Sequence, residues 1–284
     1  MNLLHGYRPI QPPGLQKELQ QPGYSYREYA PSGKLAPFVA CYWSLDVHSG
    51  HGHMLHRIIP DGCVDIIVNR RSFSSSKAAF ITGLMTRYEV MSLSRAESLF
   101  GVRLYTETAD RILKCPVSAF LSHHVYLEEI WGAAGLRMAE ALVTAKAVSD
   151  MITIMESQLK QLLSLADLST GSLIQAGMKS MYFCKGNMTG SLLAEKLGYS
   201  ERHVRRVFAQ ELGVSPKEML GIVRFQCMLQ ELHSGNYSSL TEAAVNYGYY
   251  DQSHFIKSFK RYYGLLPKQL ASMERVQRRN GNGT

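Results

Sequence analysis

The chain is predicted to be an α+β protein of more than one domain, with an N-terminal antiparallel β-barrel and flanking helices ahead of an all-α, doubled helix-turn-helix. Two observations carry that expectation. Between Tyr24 and Thr106, short runs of β-formers alternate with turn-formers such as Pro60-Asp61-Gly62, the texture of an antiparallel barrel or sandwich. Near the C-terminus one pattern occurs twice: Ala194, Gly198-Tyr199, His203, Phe208, Gly213, Pro216-Lys217, then Ala244, Gly248-Tyr249, His254, Phe259, Gly264, Pro267-Lys268. The offset is 50 residues up to the Gly-Tyr pair and 51 beyond it, so the second copy carries one extra residue just after Tyr249. Self-similarity of this kind means that one supersecondary unit is used twice, here a short helix, a Gly-containing turn and a second helix.

In chain order, the first 24 residues hold Pro9, Pro12, Pro13, Gly14, Pro22 and Gly23, show little periodicity and are expected to form an arm with no assigned role. The expected strands are Val39 to Val47 around Trp43, Arg57 to Ile59, Val64 to Val68, Ala79 to Leu84, Tyr88 to Leu93 and Leu99 to Tyr105. From Leu136 to Leu165 the residues Met138, Leu142, Ala145, Val148, Ile152, Met155, Leu159 and Leu162 recur at spacings of three and four, one apolar stripe of a helix or helix pair. Such a stripe packs either on the barrel or on a second subunit. A helix from Leu173 to Cys184 leads into the repeat. The expected domains are a β-rich regulatory domain over 1–125, a helical connector or dimerisation segment over 126–184, the double helix-turn-helix over 185–274 and a basic tail over 275–284.

Composition narrows the function classes. Five cysteines are scattered without a Cys-x-x-Cys pair, which argues against a disulfide framework or zinc knuckle and suits a reducing compartment. No window approaches the roughly 20 apolar residues of a membrane span, and the N-terminus lacks a leader pattern, so a soluble, cytoplasmic protein is expected. The net charge of +8 is uneven. Residues 185–284 hold 14 Lys+Arg against 8 Asp+Glu, whereas residues 1–184 hold 17 against 15. The repeat therefore carries most of the basic excess, and a basic excess favours an acidic partner such as nucleic acid.

Within the first unit, Leu192 to Leu197 is the first helix, Gly198 the turn, and Ser200 a natural N-cap for the next helix. On that helix Val204, Val207 and Phe208 point one way, while Arg202, Arg205 and Arg206, at i, i+3 and i+4, share the other face. The arginine fork matches O6 and N7 of guanine together, so three on the second helix of such a unit make a reading head for the major groove. Ser215-Pro216-Lys217-Glu218 opens a long helix to about His233, with Ser as N-cap, Pro in the first turn and Glu placed to close a capping box. The second unit begins with a further capping box, Ser239 and Glu242, and Asp251 caps its last helix. There Phe255, Phe259 and Tyr262 form the core side, and Gln252, Ser253, Ile256, Lys257 and Lys260 lie opposite. Gln252 suits adenine, and the two lysines suit phosphate.

The stretches GYSERHVRRVFAQELGVSPKEML and LTEAAVNYGYYDQSHFIKSFKRYYGLLPKQL, within residues 186–271, resemble the C-terminal DNA-binding domain of the AraC/XylS transcription regulators. The resemblance implies two helix-turn-helix units joined by a long helix and inserted into adjacent major-groove segments. The matching positions are Arg202, Arg205, Arg206, Gln252, Ser253, Ile256 and Lys257. Two positions depart from the family pattern: Ala243 stands where a larger aliphatic residue is usual, and Leu266 replaces the small polar residue before Pro267. The N-terminal stretches PFVACYWSL, IIPDGCVDIIVN, ITGLM and GVRLYTETADRIL, followed by PVSAF, resemble a domain found ahead of such units in one branch of the family. That resemblance implies a cupin-like β domain with sensing or dimerising duties.

The expected function is a sequence-specific DNA-binding regulator controlled through its N-terminal domain by a small molecule, with Tyr42 and Trp43 as candidate ligand contacts. The alternative makes that domain a dimerisation or protein-partner module without a ligand. The candidate partners are a double-stranded DNA operator, RNA polymerase where the protein activates, a small-molecule effector and a second copy of the chain. No cofactor, membrane or enzymatic role is expected, since no phosphate loop, Gly-x-Ser-x-Gly elbow or His-Glu-x-x-His pair occurs. His48, His51, His53 and His56 fall within nine residues, but Ser49, Gly50 and Gly52 mark the stretch as a loop and no metal site is assigned.

Overall fold

The computed structural model describes residues 6–11, 23–48, 54–93, 96–121, 124–164, 172–234 and 240–269. Strands β1 (Tyr24–Tyr29), β2 (Val39–Val47), β3 (Met54–Ile58), β4 (Cys63–Asn69), β5 (Ala79–Thr82), β6 (Glu89–Leu93), β7 (Glu97–Tyr105) and β8 (Val125–Tyr126) build the N-terminal part. Six of them form an antiparallel sheet in the order β1-β2-β7-β4-β5-β8, and β3 pairs with β6 in a second, two-stranded sheet. The last strand of the main sheet reaches to Tyr126, one residue beyond the expected edge of the β-rich region.

Strand β2 is an inner strand lying between β1 and β7, and its sequence shows how it is covered. Its run VACYWSLDV has buried residues at odd and even positions alike, as a strand covered on both faces requires. Tyr42 and Trp43 consequently face opposite ways. Tyr42 stacks on Phe100, with ring centroids 6.2 Å apart, in the core shared with the helices. Trp43 belongs to a separate cluster with Cys41, Leu45, Val47 and Leu93, the last from β6. Its indole crosses β7 at Gly101, where any Cβ would lie 2.0 Å from the ring, so only glycine fits there.

On the Trp43 side lies a buried charge cluster. Arg103 of β7 has only 3% of its side chain exposed, and its Nε lies 3.0 Å from Asp61 and 3.3 Å from Asp65, with Glu28 at 3.5 Å from Nη1. Burial works against the guanidinium charge, but Asp65 and Asp61 outweigh it and keep Arg103 protonated. Nearby, burial first and Arg103 second lower the His56 imidazole to about 4, so it is neutral at pH 7, with its Nδ1 3.2 Å from the Tyr24 hydroxyl. The other members of the histidine group separate: His48 meets the Gly23 carbonyl, while His51 and His53 lie outside the described residues. No cluster of three or more metal-ligating side chains occurs among the described residues.

Beyond β7 the chain is mainly helical, interrupted by a short 3-10 turn and β8. α1 (Thr106–Leu113) leaves β7 directly, and α2 (Leu127–Trp131), α3 (Ala133–Thr144) and α4 (Val148–Ser164) succeed it. The apolar stripe expected over Leu136 to Leu165 is a helix pair, because Ala145 adopts an extended conformation that ends α3. Met138, Leu142, Met151, Met155 and Leu159 are buried in the same core as Val64, Ile66 and Leu104 of the sheet, so the stripe packs on its own chain. No described helix is long and apolar enough to cross a membrane, and all five cysteines are free.

The C-terminal part is helical: α5 (Leu173–Phe183), α6 (Gly190–Leu197), α7 (Glu201–Glu211), α8 (Pro216–His233), α9 (Leu240–Asn246) and α10 (Gln252–Tyr263). The arm is where the sequence misled. Residues 6–11 carry no periodicity, yet Tyr7 is 2% exposed and stacks on Tyr182 of α5 at 4.4 Å. Its hydroxyl donates to the Asp61 carbonyl, and Gln11 donates to Asp61 Oδ2 and to the Ile59 carbonyl. The arm thus fills the seam between the sheet and the C-terminal helices.

Candidate nucleic-acid interface

Both repeat units are built by the same local rules. In the first, α6 ends at Gly198 with φ +72°, and the Tyr199 N–H returns to the Ala194 carbonyl at 3.1 Å. In the second, Gly248 has φ +67°, and the Tyr249 N–H returns to Ala244 at the same 3.1 Å. A left-handed residue here costs glycine little and any other residue more, which is why the Gly-Tyr pair marks both copies. Ser200 accepts from the His203 N–H at 3.3 Å and caps α7; Asp251 accepts from the His254 N–H at 2.6 Å and caps α10. Phe208 and Phe259, one in each second helix, are fully buried.

On α7 the burial of Val204 and Phe208 turns Arg202, Arg205 and Arg206 to solvent together. None of the three has a carboxylate within 4 Å among the described residues, and Arg206 meets only His203, at 3.3 Å. The arginines are therefore not held by Glu201 or Glu211 and are available to a ligand. On α10, Gln252, Ser253, Lys257 and Lys260 are exposed. Ile256 is half-buried against the core, so it belongs as much to the packing as to the outer face.

The long helix α8 sets the spacing between the heads. At 1.5 Å per residue its 18 residues span about 27 Å, against roughly 34 Å for one turn of duplex. Ser215 caps it by accepting from the Glu218 N–H at 3.2 Å. The Glu218 carboxylate does not close the expected capping box but pairs with Arg261 of α10, which ties the second head to the start of α8. Arg224 ties the segment before α6 and the turn of the second unit to α8: its guanidinium donates to the Gly186 carbonyl at 2.9 Å and reaches the Gly248 carbonyl at 3.5 Å, and lies 5.6 Å from the Tyr249 ring. Sequence reasoning missed this residue because its partners are backbone carbonyls that leave no pattern. The second capping box lies partly outside the described residues, at Ser239, as does the side chain of Ala243. At Leu266 the missing polar cap is replaced by Gln269, whose Oε1 accepts from the Leu266 N–H at 2.7 Å.

The N-terminal part touches α5, α7, α8 and α10. Gln226 of α8 is fully buried; its side chain accepts from the Ile10 N–H at 2.9 Å and donates to the Pro60 carbonyl at 2.7 Å. Arg57 of β3 donates to the Tyr263 carbonyl at the end of α10 at 2.8 Å. Ser118, in a short 3-10 turn over Val117–Phe120, donates to the Gln210 carbonyl of α7 at 2.5 Å. Tyr182 of α5 donates to Glu107 at 3.0 Å, and burial raises that carboxyl to about 7.

Two segments of the chain match known families. Residues 193–273 match the family described as "Helix-turn-helix domain". An "uncharacterized HTH-type transcriptional regulator" of Haemophilus influenzae is 39% identical over 77 residues, and the invasion protein InvF of Salmonella typhimurium 33% over 85. The C-terminal domain is an AraC-type helix-turn-helix domain. The alignments cover 27% and 30% of this chain and only 26% and 39% of those relatives, so the kinship concerns the AraC-type domain and not the whole chain. Ahead of it, residues 27–126 match a family described as "Domain of unknown function (DUF6597)", which takes in the main sheet. Among solved structures, ToxT of Vibrio cholerae aligns over 88% of this chain and 98% of its own length, with a TM-score of 0.42 at 10% identity. That likeness is too loose to transfer any residue or ligand.

Proposed function

We propose that the chain is a sequence-specific DNA-binding transcription regulator whose two reading heads are governed by the β-rich domain. The observation that carries this reading is the face of Arg202, Arg205 and Arg206, exposed together on the second helix of an AraC-type unit and free of carboxylate partners among the described residues. In the proposed complex α7 lies in the major groove with these arginines on base edges. Gln252 and Ser253 of α10 contact the next groove segment, and Lys257 and Lys260 hold phosphate. Residues 1–125 act as the regulatory part, 126–184 as its helical connection and 185–274 as the reader. Its partner is a double-stranded operator, with RNA polymerase the second partner where binding activates. The name of the Haemophilus influenzae relative, a transcriptional regulator, supports the same reading.

Its contacts support control by the N-terminal domain. Gln226, Tyr263, Gln210 and Tyr182 connect the reading unit to the arm, β3, the 3-10 turn and α1 respectively, and these are the proposed routes from the β-rich domain to both heads. A small molecule is the proposed signal. Tyr42 and Trp43 are not proposed as one ligand wall, since they pack into separate clusters on opposite faces of β2. Those packed faces favour the second reading, in which the domain answers to a protein partner or another copy.

Selection of bound sequences from a random duplex pool tests the central claim. Recovery of a defined motif with two half-elements about one helical turn apart is expected. Binding that is wholly insensitive to sequence, with a salt dependence and no enriched motif, would remove the regulator reading.

A further inference from the structure

A cavity of about 130 Å³ opens where the β-rich part meets the first helix-turn-helix, between α1, the 3-10 turn, the start of α5 and the end of α7. Its two ends differ. Thr106 and Glu107 are buried, 2% and 4% exposed, whereas Asp110 and Glu211 are exposed and mark the mouth. Between them Ile174, Val207 and Leu212 supply apolar wall.

Three features specify an occupant. The Thr106 hydroxyl is buried at the inner end with no hydrogen-bond partner among the described residues, an unfavourable state that a ligand's polar group would relieve. At the mouth, neither Asp110 nor Glu211 has a cation within 4 Å among the described residues. Glu211 is also the last residue of α7, where the carbonyl end of the helix dipole favours positive charge. The opposing N-termini of α1 and α5 are already answered, by Glu107 in the first turn of one and by the Ser172 cap of the other. The volume is about that of four waters, room for a body of roughly four to six non-hydrogen atoms.

We propose that this cavity binds a short aliphatic amine with a second hydrogen-bonding group at its far end, a diamine or amino alcohol of three or four carbons. The outer ammonium is held by Glu211 and Asp110, the alkyl body lies on Ile174, Val207 and Leu212, and the inner group meets Thr106 and Glu107. Val207 directly follows Arg206 on the reading helix, so occupancy fastens α7 to the β-rich domain. That consequence for DNA rests on the regulator reading; the binding itself does not.

Titration calorimetry on the full chain, at constant ionic strength, tests the site with 1,4-diaminobutane, 4-aminobutan-1-ol and butane-1,4-diol, and with the variants Glu211→Gln and Val207→Phe. Both amines are expected to bind at one site and the diol at least tenfold more weakly. Glu211→Gln, a change at an exposed position, should weaken the amines at least tenfold, and Val207→Phe should abolish their heat with the melting transition retained. Equal binding of diol and amines, unchanged binding in Glu211→Gln, or no amine binding to the parent chain overturns the proposal. Since calorimetry needs no DNA, failure of the operator selection would leave this result standing, and the reverse holds as well.

Discussion

The two helix-turn-helix units share a backbone and differ in what surrounds it. Both turn at a left-handed glycine, both return the following tyrosine N–H to an alanine carbonyl, and both bury a phenylalanine at the centre of the second helix. Yet Tyr199 is 52% exposed and stacks on His203, whereas Tyr249 is 8% exposed beneath the Arg224 guanidinium. The first unit spends its outer helix face on three arginines, while the second exposes Gln252, Ser253 and two lysines and is strapped to α8 by the Glu218–Arg261 pair. Repetition conserved the scaffold, and the chemistry moved to the positions where the copies diverge.

The equivalence of the scaffolds is the part that is broken most forcefully. Phe208→Ala and Phe259→Ala each remove a fully buried ring, and each should cost about 3–5 kcal/mol in chemical denaturation. A loss below about 1 kcal/mol in one unit alone would show that its core is slack and that the two are not the same structure.

A second difference is titratable. The first unit rests on α5, whose Gly177 lies against Phe208 and whose Tyr182 donates to Glu107. Burial raises the Glu107 carboxyl from 4.5 to about 7, against the pull of a backbone hydrogen bond and of Tyr182. The folded state therefore prefers the protonated acid. Its contribution is complete below about pH 4.5 and is lost as pH rises through about 7. Glu107→Gln, which mimics the neutral acid, should match the parent near pH 4 and exceed it by about 3 kcal/mol at pH 8–9. Thermal melts across that range check the sign; a parent gaining on the variant as pH rises would contradict it.

The arginine face comes next in size. Arg205→Ala should relax base preference at one operator position and cost about 1–3 kcal/mol at the preferred sequence, read from binding to a panel of single-base operator variants.

Much of this was legible in the residues. The repeat announced both units, the Ser-Pro start announced α8, and the alternation of β-rich pieces announced the sheet, because caps, left-handed glycines and periodicity are local rules written in local sequence. What stayed hidden is non-local. Tyr7 and Gln11 read as an aimless arm since their partners, Tyr182, Asp61 and Ile59, lie 48 to 175 residues away in the chain. Gln226 is a lone polar residue between Phe225 and Cys227, and only the fold shows it holding Ile10 and Pro60. Tyr42 and Trp43 read as neighbours, yet strand geometry sends neighbours to opposite faces.

The smallest effect discriminates most finely between the two heads. Lys257 is exposed on the face of α10 opposite Phe255 and Phe259, makes no ion pair among the described residues, and ends in a compact charge without the fork that reads a base edge. If the second head chiefly anchors, Lys257→Ala removes one phosphate contact, so the slope of log K against log salt should fall in magnitude by about 1. The loss should be the same for the preferred operator and for every single-base variant of it, and should shrink as salt rises, because a counterion already screens the phosphate the lysine would have met. Arg205→Ala and Lys257→Ala thus separate in shape as well as size: one bends the profile of sequence preference at a single position, the other lowers the whole profile. A Lys257→Ala protein that altered preference at one position would make α10 a reader in its own right, and the contrast between the heads would then lie in which bases they choose.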